Sequence, residues 1–92
     1  MVRLNVTLLI EDESLRKPLI ETATELVELS LHDKGCISYD ILGSLTVDNH
    51  FMIVETWESP EALVAHQNSE HFKRLSPRLH DLSTMTLERF DF

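Results

Sequence analysis

Between His50 and Glu58 the chain reads as a strand that is apolar on both faces, with Phe51, Ile53 and Trp57 on one side and Met52 and Val54 on the other. Such a strand must lie inside a sheet that is covered twice. A chain of 92 residues has room for one hydrophobic core, so the second cover has to come from outside it.

Val2, Leu4, Val6 and Leu8 alternate with Arg3, Asn5 and Thr7, the period of a strand. From Ser14 to Leu31 the apolar positions Leu15, Leu19, Ala23, Leu26, Val27 and Leu31 recur in steps of three and four, with Glu21, Glu25 and Glu28 on the opposite side, which predicts a long amphipathic helix. Pro18 is tolerated only near its first turn, and Gly35 supplies a left-handed stop. Ile37, Tyr39 and Ile41 alternate with polar residues up to Gly43 as a second strand, and Asp48-Asn49 marks the turn into the third. Ser59-Pro60 and Ser69-Glu70 read as helix caps, placing short helices over 60–67 and 70–79. Thr84 to Phe92 closes the chain as a fourth strand.

Strand, helix, strand, repeated, is the split βαβ order, so we expect one α+β domain over 1–92 with a ferredoxin-like, four-stranded antiparallel sheet and helices on one face. A pocket can lie between sheet and helices. Strands one and three are taken to be apolar on both sides, and the open face is therefore expected to meet a second copy in a two-fold homodimer.

Eight Lys and Arg against sixteen Asp and Glu give a net charge of −8, evenly spread between the two halves. That sign repels phosphate backbones and anionic headgroups, so no nucleic acid or membrane partner is expected. The longest early apolar run, Leu8-Leu9-Ile10, is far short of a spanning helix. A lone Cys36 and the lack of a signal-like N-terminus point to the cytoplasm. Two isolated glycines form no phosphate loop, which argues against a tightly held flavin or nicotinamide. His66 and His71 are five apart across an expected helix break, which argues against a metal centre.

The run from Phe51 to Phe72 contains Glu55 and Trp57, then Ala62-Leu63 and His66, then Ser69 with His71-Phe72. In these positions it closely resembles the signature of the antibiotic biosynthesis monooxygenase family, and Gly35-Cys36 and Tyr39 fit as well. The resemblance implies a dimeric ferredoxin-like domain (a dimeric α+β barrel) and most resembles the quinol monooxygenase branch. Ile53 and Leu63 stand where the anthrone-oxygenating branch has an Asn and a Tyr, which argues against an anthrone substrate.

His66 follows Ala62 by four and Leu63 by three, so it faces the apolar side of its helix, where a ring titrating near neutrality can move a proton. With the family resemblance it is the first catalytic candidate; a hydrogen-bonded core histidine is the plainer alternative. Glu55, on the strand face of Ile53 and Trp57, is the second, as an acid or as the brace of His66, against a structural ion pair. Trp57 offers a flat wall for an aromatic ligand, with core packing as the alternative. Asn5, His71, Phe51 and Tyr39 complete the substrate-binding candidates. The expected activity is a monooxygenase that oxidises a small quinol or hydroxylated aromatic with dioxygen and needs no cofactor, the substrate supplying its own electrons. A proton-shuttling isomerase of a small carbonyl compound and a non-enzymatic dimeric binder of aromatic ligands are the alternatives.

Overall fold

The computed structural model describes all of residues 1–92. In chain order it contains β1 (Val2–Leu9), a 3₁₀ turn (Glu13–Leu15), α1 (Arg16–Ser30), β2 (Cys36–Gly43), β3 (His50–Trp57), α2 (Pro60–Gln67), α3 (Glu70–Leu82) and β4 (Thr84–Asp91). The strands pair antiparallel in the order β2-β3-β1-β4. This is the ferredoxin-like α+β fold, with β1 and β3 at the centre.

One face of the sheet builds the core. Val2, Leu4, Val6 and Leu8 of β1 pair in register with Trp57, Glu55, Ile53 and Phe51 of β3. This row packs against Leu19, Ala23 and Leu26 of α1 and Leu63, Leu75 and Leu79 of α2 and α3. The alternation in the sequence therefore produces an apolar layer under the helices, interrupted by the Glu55 carboxyl.

Four details depart from the sequence reading. The Asp12 carboxylate accepts from the Ser14 amide at 3.0 Å and starts a 3₁₀ turn, so the α-helix proper begins at Arg16. Pro18 then falls within the first turn, where amides have no intrahelical partner anyway. Helix α3 continues through Pro77 to Leu82 because Leu82 prolongs the apolar stripe of Leu75 and Leu79. A bulge between Cys36 and Ser38 breaks the alternation of β2, leaving Ile37 54% exposed while Tyr39 returns to the core. Strand β1 is not apolar on both sides: its outer face carries Arg3, Asn5 and Thr7, with the Arg3 guanidinium donating to the Asn5 side chain at 3.0 Å. The apolar part of the outer face comes instead from Met52 and Val54, half-buried on β3, and from the more exposed Leu42 and Phe90. No helix is long and apolar enough to cross a membrane.

Candidate active site

Side chains do not completely fill the space between sheet and helices. A cavity of about 150 Å³ remains, and ten of its sixteen lining residues are hydrophobic. Its floor is Leu4, Val6, Ile53 and Glu55 of the central strands, with Tyr39 on one side and Met85, Thr86 and Leu87 on the other. Leu26, Leu63, His66, Phe72 and Leu79 form its roof. Gln67, Phe72, Ser76 and His80 also border a surface groove, and Leu87 is itself exposed, so the cavity opens between α3 and β4.

Local sequence places His66. Ser59 caps α2 by accepting from the Ala62 amide at 3.1 Å, and Pro60 follows at the first helical position. This sets Ala62, Leu63 and His66 on the inner face. At the far end, the Ser69 hydroxyl donates to the His66 carbonyl at 2.6 Å and accepts from the Phe72 amide at 3.2 Å, so one side chain ends α2 and starts α3. The His66 ring is 2% exposed. Its Nδ1 lies 2.7 Å from Oδ2 of Asp33, while its Nε2 has no partner in the protein. Burial lowers its pKa, and the Asp33 carboxylate offsets this in part. His66 is accordingly held neutral near neutral pH.

Glu55 sits on the cavity floor, and its Oε1 accepts from the Trp57 indole N–H at 3.0 Å. Burial raises its pKa; the indole and the Tyr39 hydroxyl pull it back only partly. Burial and the neighbouring Glu55 charge also raise the Tyr39 phenol, which stays a neutral hydroxyl. The deepest polar groups of the cavity are thus a neutral imidazole, a neutral phenol and a carboxyl whose pKa burial raises.

The structure gathers some of the expected residues and disperses others. His66, Glu55 and Tyr39 line the cavity. Trp57 does not: the His66 ring covers it at a centroid distance of 4.5 Å, so it backs the histidine rather than touching a ligand. Asn5 is on the outer face of the sheet, because its odd position on β1 points away from the helices. Phe51 belongs to the core near the start of α1, with the Arg16 guanidinium 4.9 Å from its ring centre. Nor does Glu55 brace His66; that partner is Asp33, which sequence reasoning did not single out. His71 lies outside the cavity lining, with its Nε2 2.8 Å from the same Asp33 oxygen.

The five-residue spacing of His66 and His71 therefore does not keep them apart, because the break between α2 and α3 turns both rings toward one carboxylate. The donor atoms of Asp33, His66 and His71 all lie within 4.8 Å of one another, close enough to be considered as cation ligands. Both rings, however, aim at a single oxygen at hydrogen-bond distance. That geometry lets one carboxylate oxygen accept from both rings when each nitrogen carries its hydrogen.

The sequence profile of the antibiotic biosynthesis monooxygenase family matches residues 1–78, which includes the floor of the cavity as far as β3 and its roof except Leu79. The chain belongs to the antibiotic biosynthesis monooxygenase family. At that level its role is enzymatic and of the monooxygenase kind. A conserved protein from Bacteroides thetaiotaomicron, described as a possible oxidoreductase, is 42% identical, with 99% of this chain and 96% of that one covered and a TM-score of 0.95. A solved antibiotic biosynthesis monooxygenase is 26% identical over 100% and 98% of the two chains, with a TM-score of 0.88. SnoaB, a cofactor-independent oxygenase from Streptomyces nogalater, solved as a mutant, shares the fold at a TM-score of 0.87, over 99% of this chain and 91% of its own, with 14% identity. No curated protein matches the chain.

Proposed function

We propose that this member of the antibiotic biosynthesis monooxygenase family oxidises a single-ring quinol or hydroxylated aromatic with dioxygen, without a cofactor, and that His66 is the general base. The observation that carries the reading is His66, a buried imidazole that lines a small apolar cavity and whose Nε2 has no protein partner. A cavity of about 150 Å³ suits one six-membered ring. Deprotonated by Nε2, a quinol becomes electron-rich enough to reduce dioxygen itself. One oxygen atom enters the ring, the other leaves as water, and the quinol supplies all the electrons as it becomes a hydroxyquinone. Apolar walls keep bulk water from the oxygen adduct, and Tyr39 and Glu55 are placed to hydrogen-bond the ring's oxygens.

The SnoaB description as cofactor-independent agrees with this reading, at fold level only. The reading includes a cytoplasmic location, consistent with the single free Cys36. It also includes a homodimer formed through the outer sheet face, supported by the apolar patch of Leu42, Met52 and Val54 on β2 and β3, with Phe90 on the far side of the polar β1 row.

The deciding experiment is oxygen uptake by the purified protein, in the presence of chelator, over a panel of single-ring quinols. The expected result is one dioxygen consumed per quinol, with one labelled oxygen in the product. Silence across the panel, or activity lost to chelator and restored by a metal, overturns the reading. One observation favours a second chemistry: Glu55 inclined to keep its proton and His66 inclined to stay neutral face one cavity, an acid and base suited to enolising a small carbonyl compound. Solvent deuterium entering such a compound without oxygen uptake identifies that case.

A further inference from the structure

Asp33 lies in the turn after α1 and is held there by its backbone. Its amide donates to the Ser30 carbonyl at 3.0 Å, and its carbonyl accepts from the Cys36 amide at 3.1 Å. Two residues on, Gly35 packs so closely on α2 that a Cβ there would lie 2.5 Å from the Ala62 Cβ. This contact seats the turn beneath the helical turn that carries His66. From there Oδ2 lies 2.7 Å from His66 Nδ1 and 2.8 Å from His71 Nε2.

A neutral imidazole has two tautomers of similar energy, and which nitrogen holds the hydrogen is decided by what the other nitrogen meets. A carboxylate only accepts, so the nitrogen facing it must donate. We propose that Asp33 is the positioning residue of this site, fixing His66 with its hydrogen on Nδ1 so that the Nε2 lone pair is presented to the cavity, while the His71 N–H holds Asp33 in that pose. The partnerless state of Nε2 agrees, since a hydrogen there would be a buried donor with nothing to receive it. When a substrate O–H breaks and its proton joins Nε2, the Nδ1 hydrogen stays in place, and the new positive charge faces a carboxylate in hydrogen-bond contact. The groups around the ring are Asp33 from the α1–β2 turn, His71 and His80 from α3, and Glu55 and Tyr39 from the sheet. Asp33 is the only anion among them in direct contact with the imidazole.

The inference rests on His66 acting as the base, but its test begins without substrate. Long-range proton–nitrogen correlation on histidine-labelled protein, at a pH where His66 is neutral, reads which ring nitrogen is protonated. The expected spectrum has hydrogen on Nδ1 in the wild type and a mixed or reversed tautomer in Asp33→Ala. Hydrogen on Nε2 in the wild type, or a tautomer unchanged in Asp33→Ala, overturns the assignment. Should the alanine variant fail to fold, the isosteric Asp33→Asn replaces it, and the wild-type spectrum alone can still refute the proposal. With a quinol that is turned over, Asp33→Ala should lower kcat by about tenfold or more with little change in KM. It should also move the acid limb of the pH profile to lower pH, because the ring loses the anion that favoured its protonation. Full kcat with a switched tautomer overturns the positioning role. If the spectra are as expected and no quinol reacts, the quinol reading fails and the tautomer assignment stands.

Discussion

An imidazole with one nitrogen tied to a carboxylate and the other left free is chemically one-sided, and this makes His66 the residue on which activity should turn. His66→Ala should keep the fold and lower quinol turnover by about 10²-fold or more, the usual loss when a general base is removed. Steady-state oxygen uptake alongside circular dichroism checks both halves. A merely structural histidine would instead lower the thermal midpoint and leave the folded fraction active. Glu55 gives a stability prediction with a definite sign. Its folded pKa is raised, chiefly by burial, so the native state holds the proton more tightly than the unfolded chain does. Its contribution is fully present below the ordinary glutamate range and is lost as pH rises through the folded value. His66 acts over a different window: its folded pKa is lowered, so stability falls as pH drops below the ordinary histidine range and the unfolded chain takes up a proton first. Glu55→Gln should therefore stabilise the protein relative to wild type more at about pH 8 than at about pH 5, measured by urea unfolding at each pH. At this scale the sequence was partly legible. The three- and four-residue steps from Leu63 and Ala62 turned His66 inward, and strand alternation turned Glu55 and Trp57 inward. Alternation cannot say which inward residue touches a ligand, and here the His66 ring stands between Trp57 and the cavity. Asp33 was not legible at all, since it lies in an aperiodic turn 33 residues away from its partner.

At the scale of elements, local signals performed well wherever a side chain closes its own backbone. Ser59, Pro60 and Ser69 announced both helix starts because a cap is formed within three residues. Element ends were harder. Helix α3 outlasts Pro77 because packing of Leu79 and Leu82 outweighs one lost amide bond, and the bulge in β2 has no residue type that signals it. Gly35 joins the elements most tightly. Its φ is +82°, in the left-handed region, and it also leaves no space for a side chain against Ala62. Gly35→Ala should destabilise by about 2 kcal/mol or more, a fall of roughly 10 °C in Tm, since both the backbone conformation and the contact with α2 are violated. Because the same turn carries Asp33, the surviving folded protein should lose activity out of proportion to its stability. Calorimetry combined with turnover per folded molecule distinguishes the two effects.

For the whole molecule, the two-faced character of β3 motivates the expectation of a second copy. The helices cover the inner face, while on the outer face Met52 and Val54 lie beside Leu42, and Phe90 stands across the polar β1 row, opposite Arg3. The expected outcome is a two-fold dimer burying more than about 1,000 Å² in total, seen as twice the chain mass in sedimentation or light scattering. Phe90→Glu should convert it to monomer by placing like charges near the symmetric contact. A wild-type monomer at micromolar concentration would show that the Arg3, Asn5 and Thr7 row makes this face soluble enough by itself. The ferredoxin-like order was readable in advance because element sequence and short connections leave few topologies open. A pocket between sheet and helices was also expected, but its size and opening were not readable, since they are defined by volume that no side chain occupies.

The sheet order also governs when the pocket comes into being. The central strand β1 has β4 as one neighbour, pairing Val2 with Asp91 and Leu9 with Thr84 across almost the entire chain. Pairings of such long separation slow the folding of a chain. Until β4 docks, β1 is a bare edge able to recruit a strand from another molecule, and the wall of Met85, Thr86 and Leu87 does not exist. Closing the sheet and creating the ligand chamber are thus a single event. In stopped-flow refolding, competence to bind an aromatic ligand should emerge only with the slowest protein phase.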